Sequence, residues 1–304
     1  MRLRPWILAL AMLGCCALVL SLLEWRRRSA DFSNETLLAH MPDNEGSNVF
    51  LDINALRISG LLDNIAGKRA EEEPEYQAFT RETGFDYRDD LDAVVAHFTV
   101  DSQLFLLRGR FSWQQISKHM RASGGDCLNG VCWMQLSRGR YLSALPMASN
   151  VLALGTGTYK NVVYSALTVR TQPIPKLPKD PLWAELSGEF LQNPRRLPEG
   201  TRTFLTAVKD ARSVFLSVSP SQERGLEAHM RATFKSSEEA AACRTSLEQA
   251  TSMLQRFFDL DRQKATAGEL SSALVAGKFA QDQSTVQGNW PLGRALFEQV
   301  VSGN

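Results

Sequence analysis

Four histidines among 304 residues are too few, and too scattered, for most metal chemistry. His40, His97, His119 and His229 share no His-Glu-x-x-His or His-x-Glu spacing, so a zinc hydrolase signature is absent. No Gly-x-Ser-x-Gly elbow marks a nucleophilic serine. "GTGTYK" (155–160) has two glycines but lacks the full phosphate-loop or dinucleotide fingerprint, and reads as a turn with a helix cap. The net charge is only +1, which gives no electrostatic reason for a nucleic-acid partner. No cofactor is called for, and no catalytic, cofactor-binding or metal-ligating residue stands out.

Charged residues make up an ordinary 22%, and the small net total conceals an uneven distribution. Residues 1–30 carry +4, residues 31–172 carry −4 and residues 173–304 carry +1. The positive end flanks the one long apolar run, Pro5 to Leu23, which contains no charged residue. Nineteen helical residues rise about 28 Å, close to the thickness of a bilayer's hydrocarbon core. The run is too long for the core of a cleaved leader, and Ser29-Ala30 follows three arginines. Lipidation at Cys15 would need a better match than Met12-Leu13-Gly14. The expectation is an uncleaved anchor, with Trp6 and Trp25 at the two interfaces. Arg2 and Arg4 nearly balance Arg26, Arg27 and Arg28, so charge alone does not orient it.

Cysteine is also sparse, at five residues. Cys15 and Cys16 belong to the apolar run, and Cys243 sits among alanines on an expected helix as a small core residue. Cys127 and Cys132 flank Leu-Asn-Gly-Val, and Asn-Gly favours a tight hairpin turn that could bring the two sulfurs together. Three readings stay open: a disulfide, two unpaired thiols, or a redox or metal role. A disulfide would put the globular part in an oxidising compartment.

The acidic cluster Asp86, Asp89, Asp90 and Asp92 lacks the spacing of a calcium loop, and reads as a polar corner or helix cap. Asp259 and Asp261 are weaker still. Asn34-Glu35-Thr36 fits a glycosylation acceptor, a short pattern common by chance. Trp113, Trp133, Trp183 and Trp290 lie at element junctions, where they could line a groove or close the core. His97 and His229 fall within expected strands, where a half-buried, hydrogen-bonded ring is the simpler reading.

Alternation predicts a strand in "NVFLDIN" and a hairpin in "DAVVAHFTV"–"QLFLLRGRF". Helices are expected in "ALRISGLLDNIAG", in "KRAEEEPEYQAFTRETG" up to Gly84, and in "SWQQISKHMRAS" after an N-cap at Ser112. "CWMQLS", "RYLSAL" and "NVLALGTG" supply strands, and "TYKNVVYSAL" a closing helix. Four prolines between 173 and 181 mark a linker. The second part repeats the order: a hairpin ("SVFLSVS", "LEAHMRATF"), a helix ("SEEAAACRTSLEQATSMLQRFF"), strands ("ALVAGKFA", "STVQG") and a final helix ("LGRALFEQVVS"). In each half the hairpin's second strand ends in Phe (Phe111, Phe234), and a Ser opens the next helix. The expected fold is α+β: two similar subdomains (31–172 and 173–304) of mostly antiparallel sheet with helices packed on one face, preceded by one transmembrane helix in 1–30.

"VFLDINALRISGLL", "FTRETGFDYRDDLDAVV" and "LRGRF", behind an amino-terminal span, resemble a group of membrane-anchored bacterial envelope proteins of unknown function. The resemblance covers most of the first half and implies an envelope setting; it carries no site residues. The combined expectation is a single-span inner-membrane protein, held through residues 5–23, whose globular part lies in the periplasm. There it binds a small molecule or a protein, without enzymatic activity and without nucleic acid. An envelope hydrolase or redox enzyme, or a scaffold subunit of an envelope complex, are the alternatives.

Overall fold

The computed structural model describes residues 32–42, 46–62, 73–136, 139–169, 180–192, 206–221, 226–260 and 274–292. The expected anchor in 1–30, most of the proline-rich linker and the closing helix after Leu292 lie outside these residues. Among them, no helix is long and apolar enough to cross a membrane.

Among the described residues, twelve strands form one antiparallel sheet in a mixed α+β fold. In chain order they are β1 (Ser47–Leu51), β2 (Leu91–Phe98), β3 (Ser102–Gly109), β4 (Asp126–Leu128), β5 (Val131–Gln135), β6 (Tyr141–Ala148), β7 (Val151–Gly157), β8 (Leu182–Ser187), β9 (Ser213–Pro220), β10 (Leu226–Thr233), β11 (Lys278–Asp282) and β12 (Thr285–Leu292). The spatial order is β11-β12-β10-β9-β8-β1-β2-β3-β7-β6-β5-β4. Read outward from the β1–β8 seam, the two sides run alike: β1-β2-β3-β7-β6 on one, β8-β9-β10-β12-β11 on the other.

The seam joins the halves directly. Phe50 pairs with Trp183, and Leu51 with Leu182. Trp183 stacks between Phe50 (5.6 Å) and Phe215 (5.7 Å), an aromatic ladder across β1, β8 and β9. Ser187 N–H donates to Ser47 Oγ, which is buried.

The helices whose ranges are described include α1 (Asn34–Ala39), α2 (Ile53–Ile58), α3 (Pro74–Thr83), α4 (Tyr87–Asp90), α5 (Trp113–Ala122), α6 (Gly188–Leu191) and α7 (Ser237–Leu260). Their ends follow local chemistry. Ser112 Oγ caps α5 at Gln115 N–H, as its sequence position suggests. Gly84, at φ 70°, ends α3 in the left-handed conformation that a side chain would resist. On α7, Ala240, Cys243, Leu247 and Thr251 are buried at helical spacing. Burial pushes the Cys243 thiol up to about 11, so it is a core residue rather than a nucleophile.

The long helices α5 and α7 cover the same face of the sheet. The expectation of helices on one face fails in the first half, where α1 and a 3-10 helix (Val162–Leu167) pack on the other face. The reason lies in β2 and β3. Val95, Leu104 and Leu106 point to one side and Val94 and Leu107 to the other, so both faces must be covered. The expected closing helix is this 3-10 turn. Gly155 and Gly157 let it lie against β7, since a Cβ at 155 would come 2.9 Å from Val162. "GTGTYK" is therefore not the expected turn and helix cap: its glycines end β7 as packing positions, and Asn161 begins the 3-10 helix.

Candidate functional site

The sequence between β3 and α5 turns a tight corner. Gly109 N–H donates to Asn150 O (2.9 Å), and Arg110 N–H donates to Asp90 O (2.8 Å). A Cβ at 109 would overlap the Asp90 carbonyl, so glycine is required for this close approach. The corner delivers Phe111 and Trp113 beside the β6–β7 hairpin. There the register slips between Pro146 and Ala148, leaving Met147 unopposed. Proline has no N–H for the ladder, so a bulge is where a strand tolerates it, and a bulge redirects the neighbouring side chain.

Between these two elements lies an open groove of about 570 Å³, lined by Phe111, Trp113, Pro146, Met147, Ala148, Ser149, Val151 and Leu152. Phe111 is held from behind by stacking on Phe85 (5.1 Å between centroids). The lining has one hydroxyl, Ser149, and no ionisable side chain. It therefore offers no acid, and no base to activate that hydroxyl. What it can do is take apolar surface out of water, which is worth about 25 cal/mol per Å². A second hollow of about 100 Å³, lined by Gly46, Phe98, Thr99, Val100, Ser187, Glu189 and Phe190, is too small for more than a few waters.

Cys127 and Cys132 are disulfide-bonded. Asn129 and Gly130 take positive φ (52° and 82°), the two-residue turn that Asn-Gly favours. The cysteines then fall directly opposite one another on β4 and β5, with Cα atoms 4.0 Å apart. The bond closes the outer edge of the first half, and α5 packs against Cys132.

The acidic cluster does structural work. Asp86 Oδ1 accepts from Arg88 N–H (2.9 Å), capping α4, and from Tyr76 Oη (3.0 Å). Asp90 accepts from Asp86 N–H and pairs with Arg110 (2.9 Å). Among the described residues, no three His, Cys, Asp or Glu side chains gather as a metal cage. Asp261 lies outside the described residues. Asn34 and Thr36 fall within α1, where Ser33 caps the helix at Thr36 N–H. Nearby backbone and Ser33 hydrogen bonds, with Arg108 adding charge, hold the Glu35 carboxyl below its usual range.

The histidines sit in hydrogen-bonded places. His40 Nδ1 bonds Ala166 O (2.8 Å), tying α1 to the 3-10 helix. His119 meets Glu82 (2.6 Å), linking α5 to α3. His97 Nδ1 bonds Asn48 Oδ1 across β1 and β2. Of the tryptophans, Trp183 and Trp290 are buried, Trp133 lies under the Lys160 ammonium, and Trp113 lines the groove.

One arrangement has no sequence signal. On the sheet face opposite α7, His229 Nδ1 lies 2.9 Å from Asn289 Oδ1, and Nε2 lies 3.1 Å from Ser219 Oγ. Sixty residues separate His229 from Asn289, and only the β10–β12 register brings them together. Glu227 stands 3.9 Å from the same Nε2. The groove was equally hidden: Trp113 was a candidate, but nothing in "LPMASN" announces a bulge except the proline.

No protein-family model and no curated protein matches the chain. Among solved structures, one titled as crystal form I of TP0453 overlaps 88% of this chain and 96% of its own, with a TM-score of 0.47 and 9% sequence identity.

Proposed function

We propose that the protein is a membrane-anchored periplasmic binding module whose ligand is apolar and enters the groove between the start of α5 and the β6–β7 bulge. One observation carries this reading: the groove is of ligand size, aromatic on one wall, aliphatic on the other, and free of ionisable groups. The anchor rests on the apolar run Pro5–Leu23 with its basic flanks. The Cys127–Cys132 bond fits an oxidising compartment. The mirrored strand order on either side of the seam supports two similar subdomains built on an internal repeat. The test is a titration of the full chain in nanodiscs with anilinonaphthalene sulfonate. Wild type should show saturable fluorescence that Met147→Glu weakens at least tenfold, because the entering dye would strip water from an unpaired carboxylate. Equal signals from the two proteins would end the proposal.

A hydrolytic role is the second reading, favoured by the Ser219–His229–Asn289 row. Both hydrogen bonds are within the reach that nucleophilic catalysis requires. Ser219 would attack an ester carbonyl, its proton passing to His229 Nε2 and then to the departing alcohol; water would release the acyl group. A fluorophosphonate should then label Ser219, and His229→Ala should remove the label. An unlabelled Ser219 would dismiss this reading.

A further inference from the structure

The groove's position on the fold narrows its ligand. Arg108 Nη1–H donates to Phe32 O (2.9 Å), fixing the point where the chain from the amino terminus joins the body. Arg108 is the strand partner of Val151, which lines the groove. Phe32, Met147 and Ala148 all pack against the same buried cluster, and the last two are groove walls. The Val151 edge of the groove therefore lies about one arginine side chain plus one strand spacing from the entry point. Only residues 24–31 separate Phe32 from Leu23, the last residue of the apolar run. Fully extended, that stretch reaches about 30 Å. If the run spans the membrane, the groove can never lie much farther than this from the bilayer surface. Any apolar compound free in water is dilute there, whereas hydrocarbon chains are held at the surface in high effective concentration.

Resting on the binding-module reading above, we infer that the groove's occupant is an acyl chain of a membrane lipid, drawn from the bilayer in which the same molecule is anchored. The groove's chemistry agrees with a hydrocarbon chain. It has no charge for a headgroup to pair with, so the headgroup would stay outside. Phe111 and Trp113 give flat apolar walls, and Met147, unbranched and adaptable, can follow a flexible chain.

The experiment places the full chain in phospholipid vesicles doped with a phospholipid that carries a diazirine near the end of one acyl chain. After illumination, adducts are mapped by proteolysis and mass spectrometry. Adducts on the peptides holding Trp113 or Met147, reduced at least fivefold in Met147→Glu, are the expected result. Trp113→Ala, which strips one wall without adding charge, should reduce them as well and guards against a folding defect in the first variant. Adducts confined to residues 5–23, in a protein that still binds anilinonaphthalene sulfonate better than Met147→Glu does, would overturn the lipid inference and leave the apolar site standing. If that dye does not distinguish the two proteins, the binding-module reading fails and the lipid inference with it. Adducts in neither place would refute the anchor on which the inference depends.

Discussion

The two halves of the sheet are built to one plan and finished differently. In each, an inner strand leads to a short capped helix, a hairpin, a longer helix and an outer hairpin. β1, α2, β2, β3, α5, β6 and β7 correspond in order to β8, α6, β9, β10, α7, β11 and β12. In each, the end of the third strand donates to the turn of the outer hairpin: Gly109 N–H to Asn150 O, and Phe234 N–H to Ser284 O. Past that point they diverge. Phe234 is buried in the α7 core, and β11 pairs with β12 without a slip. Phe111 is only half-buried and leans on Phe85, which comes from the α3–α4 insertion, while Pro146 forces a bulge opposite it. The lesson is that a shared framework leaves one end filled and the other open. The open end is where a ligand can go.

The most severe way to break this comparison is at the seam. Trp183→Ala removes the centre of the Phe50–Trp183–Phe215 ladder and should cost about 4 kcal/mol. Because the halves share a sheet, denaturant unfolding followed by circular dichroism should stay a single transition at a lower midpoint. Two separated transitions would mean that the halves are only loosely joined. A smaller effect should follow from opening the staple that only the first half has. Cys127→Ser with Cys132→Ser frees a loop of six residues, worth about 2 kcal/mol on loop-closure grounds. The dye affinity of the groove should not change, since neither cysteine lines it. The smallest effect lies in the second half's outer turn, where Gln283 holds a φ of 47° that suits glycine better. Gln283→Gly should raise stability by about 0.5 kcal/mol in the same unfolding experiment. No gain would show that the turn is not strained.

Much of this framework was legible in the sequence because its signals are local. Alternation marked β2 and β3, Ser112 marked the start of α5, Gly84 the end of α3, and the Asn-Gly pair the disulfide hairpin. What was missed depended on distance. β8 follows directly on four prolines, and its sequence "LWAELS" is too short to declare a partner; its pairing with β1 is what makes the sheet continuous. The second covered face in the first half could be read only once β2 and β3 were known to be central strands. The Ser219–His229–Asn289 row depends on a register across three strands. The groove needs a bulge, a corner and an insertion to coincide, and each is unremarkable alone.

The central claim is that the first half's open end binds an apolar ligand and the second half's filled end does not. Methionine methyl resonances test it most directly, because the chain has eight methionines and they sample both halves. With octanol as the probe, the Met147 methyl should shift saturably, while Met230 in the second core and the exposed Met253 on α7 stay in place. A Met147 signal that does not move, or one that moves no more than Met253, would contradict the account.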